Sequence, residues 1–231
     1  MEAAEEKAKQ RKVSRRRFLK MAGAVTAGAI LAEAVPRVLW LDDALAAIPV
    51  SGGYLLLDRK KCAGCCSCML ACSLAHEGRE SLSLARIQIA QNSFGRFPDD
   101  LTPSQCRQCV DPACVNACPT GALHADPKNE HVRLVDADKC IGCQSCVKAC
   151  PFTPSRAVWN FEDGHAQKCD LCANTPYWNG KGGPKGLQAC VEICPMKAIK
   201  FTKEIPVQVG DAGYSPNLRK DNWKRLGFPT D

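Results

Sequence analysis

Aromatic residues are scarce in this 231-residue chain, at 6%, so a conventional hydrophobic core would be thin. Only four histidines occur (His76, His124, His131 and His165), and they follow no ligand spacing. They read as ordinary surface or packing residues rather than as a metal site. Apolar runs of membrane-spanning length are also absent. The stretch from Met21 to Val35 is interrupted by Glu33 and falls short of the ~20 residues a bilayer requires. The segment from Ile199 to Asp231 is hydrophilic, so no C-terminal membrane helix is expected. Lys and Arg outnumber Asp and Glu by 31 to 24. No basic stripe with interleaved aromatics accompanies that excess, so nucleic acid is not an expected partner.

Cysteine, by contrast, is abundant. Sixteen of the 17 cysteines fall into four runs of four. The first run, Cys62, Cys65, Cys68 and Cys72, has the spacing C-x2-C-x2-C-x3-C. The second, Cys106, Cys109, Cys114 and Cys118, ends on Pro119. The third, Cys140, Cys143, Cys146 and Cys150, repeats the first spacing and adds Pro151. The fourth is Cys169 and Cys172, a long insertion, then Cys190 and Cys194 with Pro195. This is the bacterial-ferredoxin ligand run written four times, and it implies four [4Fe-4S] clusters as cofactors.

The spacing has a physical reason. Two-residue gaps wrap three thiolates around one cube while backbone N–H groups point at the sulfurs. The fourth cysteine lies beyond that loop, on a short helix, where its side chain faces the other cluster of a pair. A disulfide framework does not require x2, x2, x3 spacing four times over. Structural zinc shows separated C-x2-C pairs, and a thioredoxin motif needs a βαβ context that is missing. A zinc-held scaffold stays open as the non-redox alternative, distinguished by visible absorption that bleaches on reduction.

The N-terminus carries a second signal. Ser14-Arg15-Arg16-Arg17-Phe18-Leu19-Lys20 matches the twin-arginine export pattern, and Ala44-Leu45-Ala46 supplies a small-x-small cleavage site. The twin-arginine translocase carries folded proteins, so clusters assembled in the reducing cytoplasm would reach the periplasm intact. Removal of residues 1–46, with nine basic and six acidic side chains, leaves a net charge of +4. Four cluster sites at about −2 each would bring the holoprotein to about −4.

The expected fold class is α+β: two nested bacterial-ferredoxin-like units with short helices and β-hairpin insertions around a cluster-centred core. Strands are expected at Gly53–Leu57, Ala85–Ala90, Gly121–Ala125, His131–Val135, Ala157–Phe161 and Ala198–Thr202. Turns are expected at Asp126–Asn129 and Glu162–Gly164. Short helices should carry Cys72, Cys118, Cys150 and Cys194. The mature domain, 47–231, would comprise an outer unit (51–103 with 160–205), an inner unit (104–159) and a tail (206–231). The insertion Ala173–Ala189, with Tyr177, Trp178 and several glycines, reads as a docking loop or as a lid over a cluster. Lys61, Lys139 and Lys168 each precede the first cysteine of a run, where they would tune a cluster or simply serve solubility.

These runs, in this order and with the long gap in the fourth, resemble the electron-transfer subunits of the dimethyl-sulfoxide-reductase superfamily. Those are the iron–sulfur partners of molybdenum and tungsten enzymes acting on polysulfide, thiosulfate, tetrathionate, nitrite or formate. The resemblance spans Tyr54 to Phe201 and implies that the runs pair first with fourth and second with third. Carried onto this sequence, cluster one takes Cys62, Cys65, Cys68 and Cys194, and cluster two takes Cys106, Cys109, Cys114 and Cys150. Cluster three takes Cys140, Cys143, Cys146 and Cys118, and cluster four takes Cys169, Cys172, Cys190 and Cys72. The resemblance implies no catalytic residue in this chain, a molybdenum- or tungsten-pterin catalytic subunit as partner, and a membrane quinone-reacting subunit or soluble carrier at the other end. Cys66 departs from the pattern and reads as a small buried residue, with exchange with Cys65 as ligand the alternative. Ser73–Gly78, Leu84–Ile89 and the Leu226-Gly-Phe-Pro stretch also look like ferredoxin partners of aldehyde-oxidoreductase-type tungsten enzymes. A stand-alone periplasmic polyferredoxin is the remaining alternative.

Overall fold

Frequent turns hold every strand to four residues. The computed structural model describes residues 47–219, 221–225, 227 and 230; the export signal, its cleavage site and Leu226 lie outside the described residues. The strands are β1 (Tyr54–Leu57), β2 (Gln88–Gln91), β3 (Leu101–Ser104), β4 (Leu123–Asp126), β5 (Val132–Val135), β6 (Ala157–Asn160), β7 (His165–Lys168) and β8 (Ile199–Thr202). They form four separate antiparallel ladders, β1–β8, β2–β3, β4–β5 and β6–β7. The six expected strands are present with shifted ends, while β3 and β7 were not foreseen. Pro103 sits inside β3, where a two-stranded ladder leaves one edge free of donors, and β7 (HAQK) is too polar to signal a strand. The two expected turns close hairpins. Asp126 Oδ1 accepts from the Lys128 amide at 3.1 Å, and Asn160 Oδ1 accepts from the Glu162 amide at 2.9 Å.

The helices are α1 (Ser67–Glu77), α2 (Ala113–Asn116), α3 (Ser145–Ala149), α4 (Ala189–Ile193) and α5 (Asp221–Arg225). Here the structure corrects an expectation. Cys72 lies inside α1, but Cys150 and Cys194 are the C-caps of α3 and α4, with extended backbone, and Cys118 lies beyond the C-cap of α2. Pro119, Pro151 and Pro195 push the residue before them out of helical geometry, so those helices stop at the cysteine. Ser73 follows Cys72, and α1 runs on to a left-handed Gly78 cap.

A two-stranded ladder is marginal alone, so these elements depend on one another. The β1–β8 ladder sets Leu55 opposite Phe201 and Leu57 opposite Ile199. Helix α1 packs against α4, and α2 against α3. The result is a mixed α+β ferredoxin-like fold. The larger core gathers Leu55, Leu57, Met69, Ile87, Leu171 and Ile199 around six buried cysteines, and a smaller one centres on Leu123, Cys146 and Ala166. Each fully buried aliphatic side chain contributes about 1.5–3 kcal/mol, and few are available. Sulfur occupies much of the remaining interior.

The segment after β8 is bound rather than loose. Asp58 accepts from the Leu218 amide at 2.8 Å and from Arg219 Nε at 3.2 Å. The hydroxyl of buried Tyr214 donates to the Arg107 carbonyl at 2.7 Å. Among the described residues no helix is long and apolar enough to cross a membrane.

Candidate metal centres

Each Cys-x-x-Cys turn bends at the same place. The residue before its second cysteine is left-handed in all four runs: Gly64 at φ 67°, Gln108 at 47°, Gly142 at 72° and Leu171 at 55°. Glycine meets this freely, whereas Gln108 and Leu171 carry about 1–2 kcal/mol of strain each. In the first and third runs the chain turns left-handed again at Cys66 and Gln144, both at φ 58°, before α1 and α3 begin. Successive turns of this kind aim amide hydrogens into a shared concavity that favours negative charge.

These loops bring the cysteines together in groups. One cavity is lined by Cys62, Cys65 and Cys68 of the first run with Cys194 of the fourth, and Cys66 also reaches its wall. A second is lined by Cys106, Cys109 and Cys114 with Cys150. A third is lined by Cys140, Cys143 and Cys146 with Cys118. Cys169, Cys172 and Cys190 are buried together with Cys72, close enough that Cys172, Cys169 and Cys72, and after them Cys68 of the neighbouring group, act on the Cys190 thiol. The crossing cysteines share one further feature. Each accepts a backbone N–H at sulfur: Cys72 from Arg86 at 3.4 Å, Cys118 from Leu123 at 3.3 Å, Cys150 from Arg156 at 3.2 Å, and Cys194 from Ala198 at 3.3 Å.

All 17 cysteines are free thiols. Among the described residues no three Cys, His, Asp or Glu side chains converge on a single metal ion. In three of the four groups the sulfurs line a void, as a cubane requires. Burial first, then repulsion from neighbouring thiols at Cys68 and from Asp170 at Cys172, pushes these two up to about 12; burial and neighbouring thiols push Cys109 and Cys146 up to about 11. Such thiols stay protonated until a cation takes the protons' place. Cys65 and Cys143 occupy equivalent, exposed positions, and hydrogen bonds from Ser67 and Ser145 lower both. The donor set, the voids and the inward amides fit [4Fe-4S] clusters.

Charged groups surround the second and fourth sites unequally. His76 is buried beside the fourth, with Nε2 2.9 Å from Asp170 Oδ1 and Nδ1 2.8 Å from the Cys72 carbonyl. Arg86 Nη1 donates to Asp170 Oδ2 at 2.8 Å. Burial works against charge on His76, but hydrogen bonds to Asp170 and Cys72 outweigh it and raise the imidazole to about 9. Burial likewise works against the Asp170 carboxylate, yet Arg86 and His76 hold it at about 2. So His76 is not an ordinary packing residue. Its position four after Cys72 on one helix places both on one face, a signal the sequence did contain.

The three lysines that precede cysteine runs have three different fates. Lys61 Nζ donates to the Leu218 carbonyl at 2.9 Å. Lys139 is exposed and pairs with Asp136 at 2.9 Å. Lys168 is 3% exposed and donates to the Arg133 carbonyl at 2.8 Å. Burial opposes its charge, but Cys106, Cys114 and Cys169 outweigh that and raise its pKa. Gln108, fully buried, ties the same region together, donating to the Cys169 carbonyl at 2.7 Å and accepting from the Arg133 amide at 2.8 Å.

The insertion in the fourth run is built for closeness. A Cβ on Gly182 would collide with the Cys172 carbonyl, and the Gly183 amide donates to the Leu171 carbonyl at 2.9 Å. Trp178 packs on Ala75, Cys172 and Ala189, which favours the lid over the docking loop, while Tyr177 remains 63% exposed. Cys66 is half-buried, and its thiol donates to the Gly64 carbonyl at 3.4 Å.

The 4Fe-4S dicluster domain family matches residues 99–204, and the twin-arginine translocation signal family matches residues 12–32. The thiosulfate reductase electron transfer subunit of Salmonella typhi is 36% identical over 154 residues, covering 64% of this chain and 74% of the relative. A polyferredoxin-like subunit of an aliphatic sulfonate oxidoreductase from Pyrococcus furiosus is 41% identical over 141 residues, covering 61% and 70%. The chain belongs to this family of iron–sulfur electron-transfer subunits. The dicluster match brings with it the [4Fe-4S] cofactor, and the separate twin-arginine match brings the export signal. A hydrogenase-2 operon protein of Escherichia coli O157:H7, 33% identical over 215 residues, covers 82% of the chain and is itself covered over 62%.

Proposed function

We propose that the sixteen cysteines hold four [4Fe-4S] clusters in the crossed arrangement, three ligands from one run and the fourth from its partner run. Residues 51–103 and 160–205 then form an outer ferredoxin-like unit around an inner one at 104–159, with 206–231 as a tail. When bound, the clusters supply reversible one-electron transfer and nothing else. The chain's own residues ligate, exclude water and set the electrostatics. Its partners are a molybdenum- or tungsten-pterin catalytic subunit and a membrane quinone-reacting subunit or soluble carrier. The complex works in the periplasm and is held at the membrane through a partner.

The observation that carries this reading is the three-plus-one lining of the sulfur cavities. Anaerobic iron and sulfide analysis should approach sixteen of each per chain; a value near eight, or stoichiometric zinc, overturns it. The crossing is tested by Cys72→Ser, which should alter the signal of the cluster at Cys169, Cys172 and Cys190 and spare that at Cys62, Cys65 and Cys68. The partner is tested by co-purification: a pterin subunit containing molybdenum or tungsten supports the complex, and a chain that stays alone supports a free polyferredoxin. The likeness of Ser73–Gly78 and Leu84–Ile89 to ferredoxin partners of aldehyde-oxidoreductase-type tungsten enzymes keeps a second reading alive, which the metal content of the captured subunit separates.

A further inference from the structure

The four cysteine groups stand in very different electrostatic surroundings. The wall of the first cavity is completed by apolar residues such as Leu57, Ile89 and Met196, and carries no charged side chain. That of the third is completed by Leu123, Val135, Ile141, Gln144 and similar neutral groups. Around the fourth group the charges cancel in pairs, His76 and Arg86 against Asp170 and Glu77. The second cavity is walled by Arg107, Arg133, Arg156 and Lys168. Arg107 is offset by Asp211. Among the described residues, Arg133, Arg156 and Lys168 form no ion pair with a carboxylate.

Two further facts distinguish this cage. Arg133 and Arg156 each keep two buried side-chain nitrogens without an acceptor: Nε and Nη2 on Arg133, Nε and Nη1 on Arg156. Such donors cost free energy unless an anion meets them. Arg107 is stacked between Phe152 at 4.2 Å and Tyr214 at 4.8 Å, so its position is fixed. Guanidinium stays charged at any working pH, and a charge in a poorly screened interior acts strongly on its neighbours.

We infer that the site made by Cys106, Cys109, Cys114 and Cys150 has the highest reduction potential of the four, and so acts as the place where an electron comes to rest within the relay. Taking up one electron makes this site one unit more negative without a proton. Three unpaired cations stand in the cavity wall to meet that charge, whereas among the described residues the walls of the first and third cavities hold none. Arg156, Arg133 and Lys168 are therefore positioning residues for the transferred charge. This rests on the four-cluster reading above.

The test is potentiometric EPR titration of the full-length, iron-loaded protein, with dithionite and mediators as the electron source. Arg156→Gln and Lys168→Met should each lower the highest of the four midpoints by the equivalent of a tenfold change in the reduction equilibrium, about 59 mV for one electron. The remaining midpoints should move far less, Arg156→Lys should restore the original value, and the exposed Lys139→Gln should change nothing. A highest midpoint indifferent to both changes, or a shift confined to another step, overturns the inference. A variant that fails to fold is bypassed in the wild type. Poised with only its first electron, protein carrying 15N-guanidinium arginine should show altered nitrogen modulation of the EPR signal, and its absence also overturns the inference. Fewer than four redox steps in the wild type, or iron well below sixteen, would instead defeat the four-cluster reading.

Discussion

The first and third cysteine runs are spelled alike and begin alike, yet they end differently. Both bend left-handed at a glycine, Gly64 and Gly142, and again at Cys66 and Gln144. Both hydrogen-bond an exposed second cysteine with a serine, Ser67 and Ser145. From there α3 stops at Ala149, five residues long, while α1 continues for eleven residues to Glu77. The difference is one residue: Pro151 follows Cys150, and Ser73 follows Cys72. The extra turn of α1 carries His76 and Glu77 to Asp170, Arg86 and Gln167, so a single proline decides whether a ligand loop gains a buried polar network behind it. The lesson is general for this spacing. The cysteines fix where sulfur goes, and the residue after the last one fixes what stands behind it.

The largest break in this comparison is Asp170→Asn. It leaves Arg86 and His76 buried without their shared carboxylate, a change that costs about 3–5 kcal/mol. In a domain of this size that corresponds to a fall of ~10 °C or more in the anaerobic denaturation midpoint, followed by loss of visible absorption. No residue of the third run has a comparable partner, so replacing exposed Ile141, its counterpart one after the first cysteine, with Asn should cost less than about 1 kcal/mol. Equal losses from the two changes would show that the network adds nothing.

Next comes Ser73→Pro, which gives the first run the terminator of the third. It removes an internal helix hydrogen bond and clashes with the preceding turn, at a cost of ~3 kcal/mol or more. It also breaks the bond from the Ser73 hydroxyl to the Arg79 carbonyl, at 2.6 Å. Circular dichroism should register the lost helix, and the fourth site should lose iron before the third. Unchanged iron at the fourth site would mean that α1 beyond Cys72 is dispensable there.

Much of this arrangement was legible in the sequence, because cysteine spacing and proline position are local signals. The four runs and the hairpin turns at Asp126 and Glu162 follow from residues within reach of one another in sequence, whereas the β1–β8 pairing joins distant segments and has no such signal. Legibility failed where contacts are long-range. Asp170 meets His76 across 94 positions, and Lys168 meets Arg133 across 35. Sequence spacing alone could not separate Lys168 from Lys61 and Lys139. The glycines and aromatics of the insertion left a docking loop and a lid equally open, and Gly182 is glycine because its backbone lies against Cys172. Composition reports permissiveness, and only packing says what it is used for.

The smallest expected effect sharpens the shared half of the comparison. Gln144 and Cys66 hold the same left-handed geometry, at φ 58°, and each pays about 1–2 kcal/mol for it. Glycine relieves that strain but adds roughly 0.5–1 kcal/mol of backbone entropy to be lost on folding. Gln144 is exposed, so Gln144→Gly should raise stability by about 0.5–1 kcal/mol, or ~2 °C. Cys66 is half-buried, packs against the larger core and bonds the Gly64 carbonyl, so Cys66→Gly gives back in lost packing what it gains in geometry. It should leave stability within ~0.5 kcal/mol of the original, and iron content unchanged if Cys65 is the ligand. Iron falling by one cluster in Cys66→Gly would make Cys66 the ligand, and the parallel between the two loops would then end at the sulfur itself.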